Sequence, residues 1–285
     1  GLHAGVFWPR GGTSRLIAAM ARHLERLGGG LRLGEPAVRI DTLGVRCTEV
    51  ETESGWRGRF DAVASNADLV HTYRDLLAGT LRGQAMGRKL AARRFSPSQF
   101  VVHFGIEGSW PGIPHHMMLF GSRYQGMLED LHVHGVLPQD LPIYLHHPTV
   151  TDPSMAPPGK SAFSAVVPVP HLGKLPVDWR RLGAILEQRI LDEVGRRLIP
   201  DIHDRLVTSF HYTPADFAAD FHAHLGSAFS LEPTRAQSAG LRPPNRDAVL
   251  RNFYLVGAGT HPGVGLSGVL AGAGITAGLL LEDMA

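Results

Sequence analysis

Residues 252–268 read NFYLVGAGTHPGVGLSG, and this stretch decides the fold that we predict for the chain. The apolar run 253–256 is ended by glycine and proline, which is typical of a buried strand that enters a tight loop. The apolar, small-residue tail that follows predicts a helix with Ser267 as its N-cap. A strand, a glycine loop and a helix N-terminus together let backbone N–H groups approach the oxygens of an anionic or carbonyl-rich ligand.

Residues 263–268, GVGLSG, also match the GxGxxG pattern of dinucleotide-binding loops. That fingerprint requires a crossover helix, a second strand and an acidic residue about 20 positions further on. The sequence ends at residue 285, which leaves no room for these parts. Two interpretations stay open: a loop that faces another ligand, or a helix entry where glycine only avoids clashes.

Composition limits the class of protein. The 285 residues are 44% hydrophobic and carry a formal net charge of +2, which suits one large or two ordinary domains. No long cationic run is present, so we expect no nucleic-acid partner. A single cysteine, Cys47, excludes an internal disulfide and fits a reducing compartment. The apolar stretch 269–281 is short and rich in glycine, so we expect no transmembrane span.

The periodicity of apolar residues predicts a mixed chain of helices and strands. Residues 5–9 predict a short strand, and Thr13 is the expected N-cap of a helix that ends at the glycines 28–30. Residues 31–64 alternate with period two and predict a meander of strands. Asp178 is the expected cap of a helix that Pro200 terminates.

Residues 77–105 contain no acidic residue and form a basic amphipathic segment. Its bases are Arg82, Arg88, Lys89, Arg93 and Arg94, and its apolar residues are Leu81, Met86, Leu90 and Phe95. Such a segment either lies in a membrane interface, with its bases facing anionic head groups, or is a solvated helix with a positive face.

Sixteen histidines raise the question of a metal site. The pairs His115-His116 and His146-His147 would each point to opposite sides of a strand, and no Asp, Glu or Cys stands at a recognisable ligand spacing. We therefore predict a histidine-rich surface and no metal. No Gly-x-Ser-x-Gly elbow and no Walker sequence occurs, which argues against a serine hydrolase and a P-loop nucleotidase.

Several long stretches resemble the bacterial and fungal phytoene desaturases, and their order and spacing agree across nearly the whole chain. They are residues 11–12, 65–77, 144–159, 226–233 and 252–268. The resemblance implies an FAD-dependent carotenoid desaturase with an amine-oxidase-like α/β (α+β) fold, in which a substrate domain is inserted into an interrupted FAD domain.

The resemblance also implies a domain division. Residues 1–10 would be a strand of the substrate domain, 11–70 part of the FAD-binding domain, 71–247 the substrate-binding domain and 248–285 the C-terminal part of the FAD-binding domain. Members of that family open with a strand, a GxGxxG loop and a helix that hold the FAD pyrophosphate. We expect this chain to be a C-terminal half without that N-terminal Rossmann half, and therefore incomplete on its own.

The chemistry implied by the resemblance is transfer of a hydride from a phytoene-type isoprenoid hydrocarbon to N5 of FAD, while a base removes the neighbouring proton. Side chains provide no hydride acceptor, so a flavin is required. The residues implied to face the flavin or its ribityl chain through backbone groups are Gly257, Gly259, Thr260, Gly265, Leu266, Ser267 and Gly268, with Val38 near the adenine. His261 and Glu232 are the candidate acid–base residues; their alternative roles are a loop-bracing histidine and a helix-end carboxylate.

Two other functions stay open at this point: a non-catalytic carrier of apolar lipid or carotenoid, and a flavin oxidoreductase that acts on an amine or a hydroxylated carotenoid. A long hydrocarbon is almost insoluble in water, because each buried CH₂ is worth about 0.8 kcal/mol. We therefore expect a cytoplasmic protein, peripheral to the membrane, that collects its substrate from a bilayer. The sequence does not indicate the oligomeric state, the number of double bonds introduced or the final electron acceptor.

Overall fold

The computed structural model describes residues 7–285, which form two compact units. The first unit contains residues 7–33, 99–169 and 177–213, and the second contains 34–98, 170–176 and 214–285. These boundaries differ from the breaks at residues 70 and 247 that the resemblance implies. The assignment of chain segments to an FAD domain and a substrate domain stays a prediction.

Helices and strands alternate along the described chain. The strands are β1 (Ala37–Leu43), β2 (Arg46–Thr52), β3 (Arg57–Arg59), β4 (Val63–Ser65), β5 (Ser98–Glu107), β6 (His116–Leu119), β7 (Ile143–His146), β8 (Lys160–Val169), β9 (Leu206–Tyr212) and β10 (Phe253–Leu255). The α-helices are α1 (Thr13–Arg26), α2 (Leu69–His71), α3 (Leu81–Ala91), α4 (Tyr124–Glu129), α5 (Trp179–Arg197), α6 (Ile202–Arg205), α7 (Pro214–Phe221) and α8 (Leu266–Met284). Two π-helical segments, Thr72–Leu76 and Asp130–His134, and short 3-10 turns at Pro148–Val150, Pro153–Met155, His224–Gly226, Arg235–Gln237 and Ala239–Leu241 complete the list for residues 7–285.

The first unit is built on a five-stranded sheet with the order β6-β7-β8-β5-β9. Alternate residues of β8 are buried, beginning with Ser161 and Phe163, so one face of the sheet is covered and the other is only partly covered. The long helix α5 packs beside β9, and its N-terminus is capped as predicted. The carboxylate of Asp178 accepts hydrogen bonds from the backbone N–H groups of Arg180 (3.0 Å) and Arg181 (3.4 Å).

The second unit holds an antiparallel meander, β1-β2-β3, and a parallel pair, β4 and β10. The parallel pair is in register through Phe253↔Val63 and Leu255↔Ser65. The core of the second unit includes Val70, Tyr73, Leu77, Phe253 and Leu255, each at most 2% exposed. The predicted meander and the buried strand at 253–255 are both confirmed.

Two predicted helix starts were wrong, the first by one residue and the second by two. Gly12, and not Thr13, is the N-cap of α1, and Gly265, and not Ser267, is the N-cap of α8. Both glycines have positive φ, at 85° and 88°, a turn that glycine adopts without strain and that needs no side-chain cap. Residues 5 and 6 of the strand predicted at 5–9 lie outside the described residues, and residues 7–9 form no strand.

Helix α8 runs without interruption through its glycines, in agreement with the predicted helix. It has 19 residues and a mean hydropathy of 1.3 in its most apolar window, and 11% of that window is buried. Its length is about 28 Å at the usual rise per residue, close to the thickness of a bilayer core. By length and composition alone it could cross a membrane, a test that apolar core helices also pass.

The basic segment buries part of its predicted apolar face. Leu90 and Phe95 are 1% and 4% exposed and belong to the core of the second unit, whereas Met86 is half-buried and Leu81 is 86% exposed. The guanidinium of Arg82 lies 2.9 Å from the buried carboxylate of Asp247. The interfacial interpretation was wrong for Leu90 and Phe95, which lie in the protein interior, and membrane contact by the rest of the segment stays a prediction.

Candidate functional site

The predicted ligand loop follows the parallel pair β4 and β10, at the carboxyl ends of both strands. The backbone N–H of Val256 donates to the carbonyl oxygen of Ser65 at 3.0 Å, which extends the pairing beyond β10. Gly257, with φ of 109°, passes so close to Asn66 that a Cβ atom would collide with the side-chain oxygen of Asn66. Carboxyl ends of parallel strands are the usual place for ligands in α/β folds.

Thr260 holds the loop from inside. It is 0% exposed, and its hydroxyl donates to the carbonyl oxygen of Gly257 at 2.9 Å. The side-chain amide of Asn245 lies 3.4 Å from the same hydroxyl and donates at 3.1 Å to Thr276 on α8. This buried network joins the loop to the helix behind it, so any contact of Thr260 with a ligand would be made by its backbone, as predicted.

Arg242 braces the same loop with a buried positive charge. Its side chain donates from Nη2 to the carbonyl oxygen of Ala258 at 2.6 Å and from Nε to that of Thr260 at 3.2 Å. The residue is 5% exposed, and its burial lowers the pKa of the guanidinium. The carbonyl groups of Ala258 and Thr260 are therefore satisfied within the chain by Arg242.

The N-terminus of α8 completes the loop. The first hydrogen bond of the helix runs from the N–H of Val269 to the carbonyl oxygen of Gly265 at 2.9 Å, so the N–H groups of residues 266–268 precede the helical ladder. A Cβ atom on Gly265 would meet no atom within 4 Å. This end of the helix is exposed and suited to a negatively charged or carbonyl-rich group.

The loop therefore fits a flavin, although its glycines serve different purposes. A Cβ on Gly259 would collide with Leu69, and one on Gly268 would lie 2.8 Å from the carbonyl oxygen of Gly263, so these two are required by packing within the chain. Gly265 is different, since the space beside it is open to a ligand. The two interpretations that the sequence left open thus apply to different residues. Glycine avoids clashes within the chain at Gly259 and Gly268, and at Gly265 the ligand interpretation remains.

Val38 lies on β1 and is 46% exposed. The register of β1 with β2 shifts between Ala37 and Arg39, which places Val38 in a β-bulge. The backbone groups of a bulge residue are released from the regular ladder. This geometry fits the predicted contact with adenine through the backbone, and that contact stays a prediction.

The two candidate acid–base residues are held by different partners. In the tautomer protonated at Nδ1, His261 donates to the carbonyl oxygen of Ala239 at 3.1 Å, which leaves Nε2 to exchange a proton. The carboxylate of Glu232 lies 2.9 Å from Nε of Arg94. The contact of His261 agrees with its alternative role as a loop brace. Glu232 is paired with Arg94 but does not stand at the end of a helix, so its alternative role was wrong. The acid–base roles stay predictions.

An apolar groove of about 500 Å³ lies in the first unit, on the partly covered face of the sheet. Its lining comes from β5, β8 and β9 and from the loop before β8, and includes His103, Gly105, Met155, Pro157, Ala162, Ser164 and Phe210. In the groove, Nδ1 of His103 lies 2.8 Å from the hydroxyl of Ser164, and its ring stacks on Phe210 with centroids 4.9 Å apart. Burial lowers the pKa of His103, so the ring is neutral at neutral pH.

Three histidines, His115, His116 and His146, meet beside this groove. His146 lies on the side of β7 opposite to its neighbour His147, which stacks on Phe163 with ring centroids 4.1 Å apart. The expectation that His146 and His147 diverge is confirmed. The expectation that His115 and His116 diverge was wrong, because His115 stands before the first residue of β6 and does not follow the alternation of the strand.

Comparison with known proteins places this geometry in a family. Residues 1–281 match the flavin containing amine oxidoreductases. The chain belongs to this family. It is 47% identical over 281 residues to the lycopene-forming phytoene desaturase of Paracoccus sp., covering 99% of this chain and 56% of the relative. It is 44% identical over 280 residues to that of Pseudescherichia vulneris, covering 98% of this chain and 57% of the relative. The chain thus spans little more than half the length of the curated relatives it matches.

Solved structures agree on the fold. An oxidoreductase from Methanosarcina mazei superimposes with a TM-score of 0.64 at 18% identity, covering 97% of this chain and 55% of that one. A putrescine oxidase bound to putrescine gives 0.61 at 14% identity, covering 97% and 54%. At such identities the likeness shows the fold alone. The predicted amine-oxidase-like fold and the FAD cofactor are confirmed at the level of the family.

The polar residues that hold the loop were not predicted from the sequence. Arg242, Asn245 and Asp247 stand just before β10 and are each at most 5% exposed. Their signal in the sequence is a run of polar residues with two prolines next to an apolar strand. Such a run usually indicates an exposed turn, and only the tertiary structure shows that it is buried.

Proposed function

We propose that this chain is the part of an FAD-dependent desaturase that carries the flavin loop and the substrate groove. The proposed substrate is a phytoene-type isoprenoid hydrocarbon of carotenoid biosynthesis. The observation that carries the proposal is identity of 43–47% with three lycopene-forming phytoene desaturases over at least 98% of this chain. The chain contains both a loop that fits a flavin and a groove that fits a hydrocarbon.

The groove supports an apolar substrate. Most of its wall is formed by apolar side chains, and the polar residues of the wall include His103, whose ring is hydrogen-bonded to Ser164, and Lys160. Gly105 on β5 keeps the groove open, because a Cβ there would touch the methyl group of Thr208 at 3.4 Å. An amine substrate would favour a carboxylate to pair with its positive charge, and no carboxylate is among the residues that line the groove, which include the cation Lys160.

The flavin, when bound, supplies the hydride acceptor that desaturation requires. The N–H groups at Gly265, Leu266, Ser267 and Gly268 would hold it, and Arg242 satisfies the carbonyl groups of Ala258 and Thr260 in the same loop. Nε2 of His261 is the atom at which this chain could accept the substrate proton. The proposed contribution of the chain is therefore orientation of the cofactor, exclusion of water from an apolar substrate and removal of one proton.

We also propose a cytoplasmic location with peripheral contact to the membrane. The support is the insolubility of the proposed substrate in water, since the hydrocarbon must be collected from a bilayer. Helix α3 retains Arg88 and Lys89 as exposed bases and Leu81 as an exposed apolar residue. These are fewer anchors than the sequence suggested, so the contact should be weak and salt-dependent.

A domain exchange tests the proposed function. The matching part of the Paracoccus phytoene desaturase is replaced with residues 1–281 of this chain, and the hybrid is expressed in cells that accumulate phytoene. We expect coloured, desaturated carotenoid in the extract and a flavin absorbance band in the purified hybrid. The matched control carries Ala162→Glu, which places a charge in the apolar groove and should abolish product while the flavin band remains.

The outcomes separate the alternatives. A hybrid that retains flavin but leaves phytoene unchanged would contradict desaturation of this substrate. If the 285-residue chain extracts carotenoid from vesicles but the hybrid neither holds flavin nor makes product, the non-catalytic carrier is favoured. Oxidation of an amine or of a hydroxylated carotenoid by a hybrid inactive on phytoene would support the third function.

A further inference from the structure

Three imidazole rings converge at the edge of the five-stranded sheet, outside the flavin loop. His116 on β6 is directly opposite His146 on β7 in the antiparallel register. Nε2 of His115 lies 3.0 Å from Nε2 of His146, and one ring nitrogen from each of the three residues falls within 4.8 Å of the others. His116 is exposed and the other two are half-buried, so the cluster is open to solvent on one side.

Two hydroxyl groups fix the outer nitrogens of this cluster. Nδ1 of His115 lies 2.7 Å from the hydroxyl of Thr151, and Nδ1 of His116 lies 2.6 Å from the hydroxyl of Tyr144. In the tautomers that carry the proton on Nδ1, both rings donate to these oxygens and direct the Nε2 lone pair toward the cluster. A histidine that donates its outer N–H to an oxygen is the usual arrangement of a metal ligand.

The rings are also held in place by packing. The indole of Trp8 contacts His115 and His146, with ring centroids 4.8 and 5.3 Å apart. The ring of His116 stacks on Tyr144 at 5.8 Å.

We propose that His115, His116 and His146 bind one divalent transition-metal ion of the zinc class. Imidazole nitrogens suit Zn²⁺, Ni²⁺ and Cu²⁺, and three protein ligands leave a fourth position for water or another ligand. Ligands about 2.0 to 2.1 Å from a tetrahedral ion lie about 3.3 Å from each other, so the pair His115 and His146 at 3.0 Å needs only a small adjustment. The three ligand nitrogens together lie within 4.8 Å of one another, so the exposed ring of His116 would turn toward the ion. His146 also lines the apolar groove, and the ion would therefore lie at the wall of that groove.

Metal titration of the 285-residue chain, purified without a histidine tag, tests this site. Zn²⁺ affinity is measured by competition with a chromophoric chelator, and Co²⁺ reports the geometry through its visible absorption. We expect one tight ion per chain and the intense absorption of a low-coordinate Co²⁺ complex. His116→Ala should weaken binding by at least about 100-fold, and Tyr144→Phe, which keeps the stacked ring but removes the accepting oxygen, by about 10-fold.

The controls keep the test decisive. His116 is exposed, so its replacement by alanine should leave the fold intact, as circular dichroism would verify. The matched control is His23→Ala, an exposed histidine on α1 in the same unit, which should bind Zn²⁺ like the wild type. The proposal is overturned if no saturable one-ion binding is found, or if His116→Ala binds as tightly as the wild type.

Discussion

Nη2 of Arg242 lies 2.6 Å from the carbonyl oxygen of Ala258, and this bond holds the loop between β10 and α8 from beneath. The guanidinium is buried and its pKa is lowered by that burial, yet it donates to the carbonyl oxygens of Ala258, Thr260 and Gln237. An uncompensated buried charge is costly unless each donor is satisfied. The loop carbonyls therefore depend on Arg242, and Arg242 depends on them.

Replacing Arg242 with methionine should destabilise the chain and loosen the loop. The change removes the charge but keeps much of the volume, and it leaves the carbonyl groups of Ala258 and Thr260 without their donor. We expect the free energy of unfolding to fall by about 3 kcal/mol, because each buried carbonyl left without a partner costs roughly 1 to 3 kcal/mol. Urea unfolding measures it, with Arg251→Met, an exposed arginine in the same unit, as a control expected to change by less than about 0.5 kcal/mol. Equal stability of the two variants would remove Arg242 from its bracing role.

Gly265→Val should abolish flavin retention in the complete protein. Gly265 has φ of 88°, where a β-branched residue is strained by roughly 1 to 3 kcal/mol, and the new side chain would fill the open space beside it. Flavin absorbance of the purified protein measures the effect. The matched control is Gly274→Ala within α8, where a Cβ also meets no atom but the backbone is helical; it should keep the flavin and gain about 0.5 to 1 kcal/mol of stability. A Gly265→Val protein that retains its flavin would contradict the assignment of this loop.

The elements of the fold were predictable where one period dominated the sequence. The capped helix α5, the meander and the strand at Phe253 followed from apolar spacing and turn residues. The N-caps Gly12 and Gly265 were not predicted because the prediction relied on polar side chains that cap a helix. At these two positions a glycine turn begins the helix without a side-chain cap.

The polar interior was not predictable in the same way. Arg82 appeared as one base among several in an acid-free segment, and nothing local indicates that Asp247, far along the chain, neutralises it. The histidine cluster depends likewise on the pairing of His116 with His146 across two strands. Long-range pairing brings such residues together, and single-sequence patterns report only spacing along the chain.

The ion pair between Arg82 and Asp247 makes stability depend on pH in acid. Burial on its own raises the pKa of Asp247, but hydrogen bonds from Arg82, Tyr73 and two backbone N–H groups outweigh it and lower that pKa below its ordinary value of 3.8. A carboxyl group with a lowered pKa stabilises the folded state above its unfolded pKa, and this contribution is lost as the pH falls through the folded pKa.

Asp247→Asn should therefore cost about 3 kcal/mol of unfolding free energy at pH 7, because Arg82 is left without its counter-charge. The difference between wild type and variant should shrink as the pH falls below about 4. Urea unfolding between pH 7 and pH 3 measures both effects. Tyr73→Phe removes one hydrogen bond to the same carboxylate and should cost only about 1 kcal/mol. A wild-type advantage that stays constant down to pH 3 would contradict the pKa assignment.

Cys47 should be unreactive in the folded chain. Burial, with the charge of Asp247 as a second cause, raises the pKa of its thiol to about 12. At pH 8 the thiolate fraction is then about 1,000-fold lower than for a free cysteine. A chromogenic disulfide reagent measures the rate before and after unfolding in guanidinium chloride, and we expect modification only after unfolding. Stoichiometric reaction of the folded chain within seconds would show that the thiol is exposed in solution.

The proposed membrane contact depends on the exposed bases of α3. Leu90 and Phe95 are buried and Arg94 is paired with Glu232, so Arg88 and Lys89 remain as the exposed bases of this helix. Each base near an anionic surface contributes about 1 kcal/mol, so the double variant Arg88→Glu and Lys89→Glu should weaken binding to anionic vesicles at low salt by at least about 10-fold. Co-sedimentation with the vesicles measures it. The matched control is the same double reversal at Arg180 and Arg181, two exposed bases at the start of α5, which should pellet like the wild type. Equal loss in both variants would show that net charge alone governs binding, and no loss in either would exclude α3 from the membrane contact.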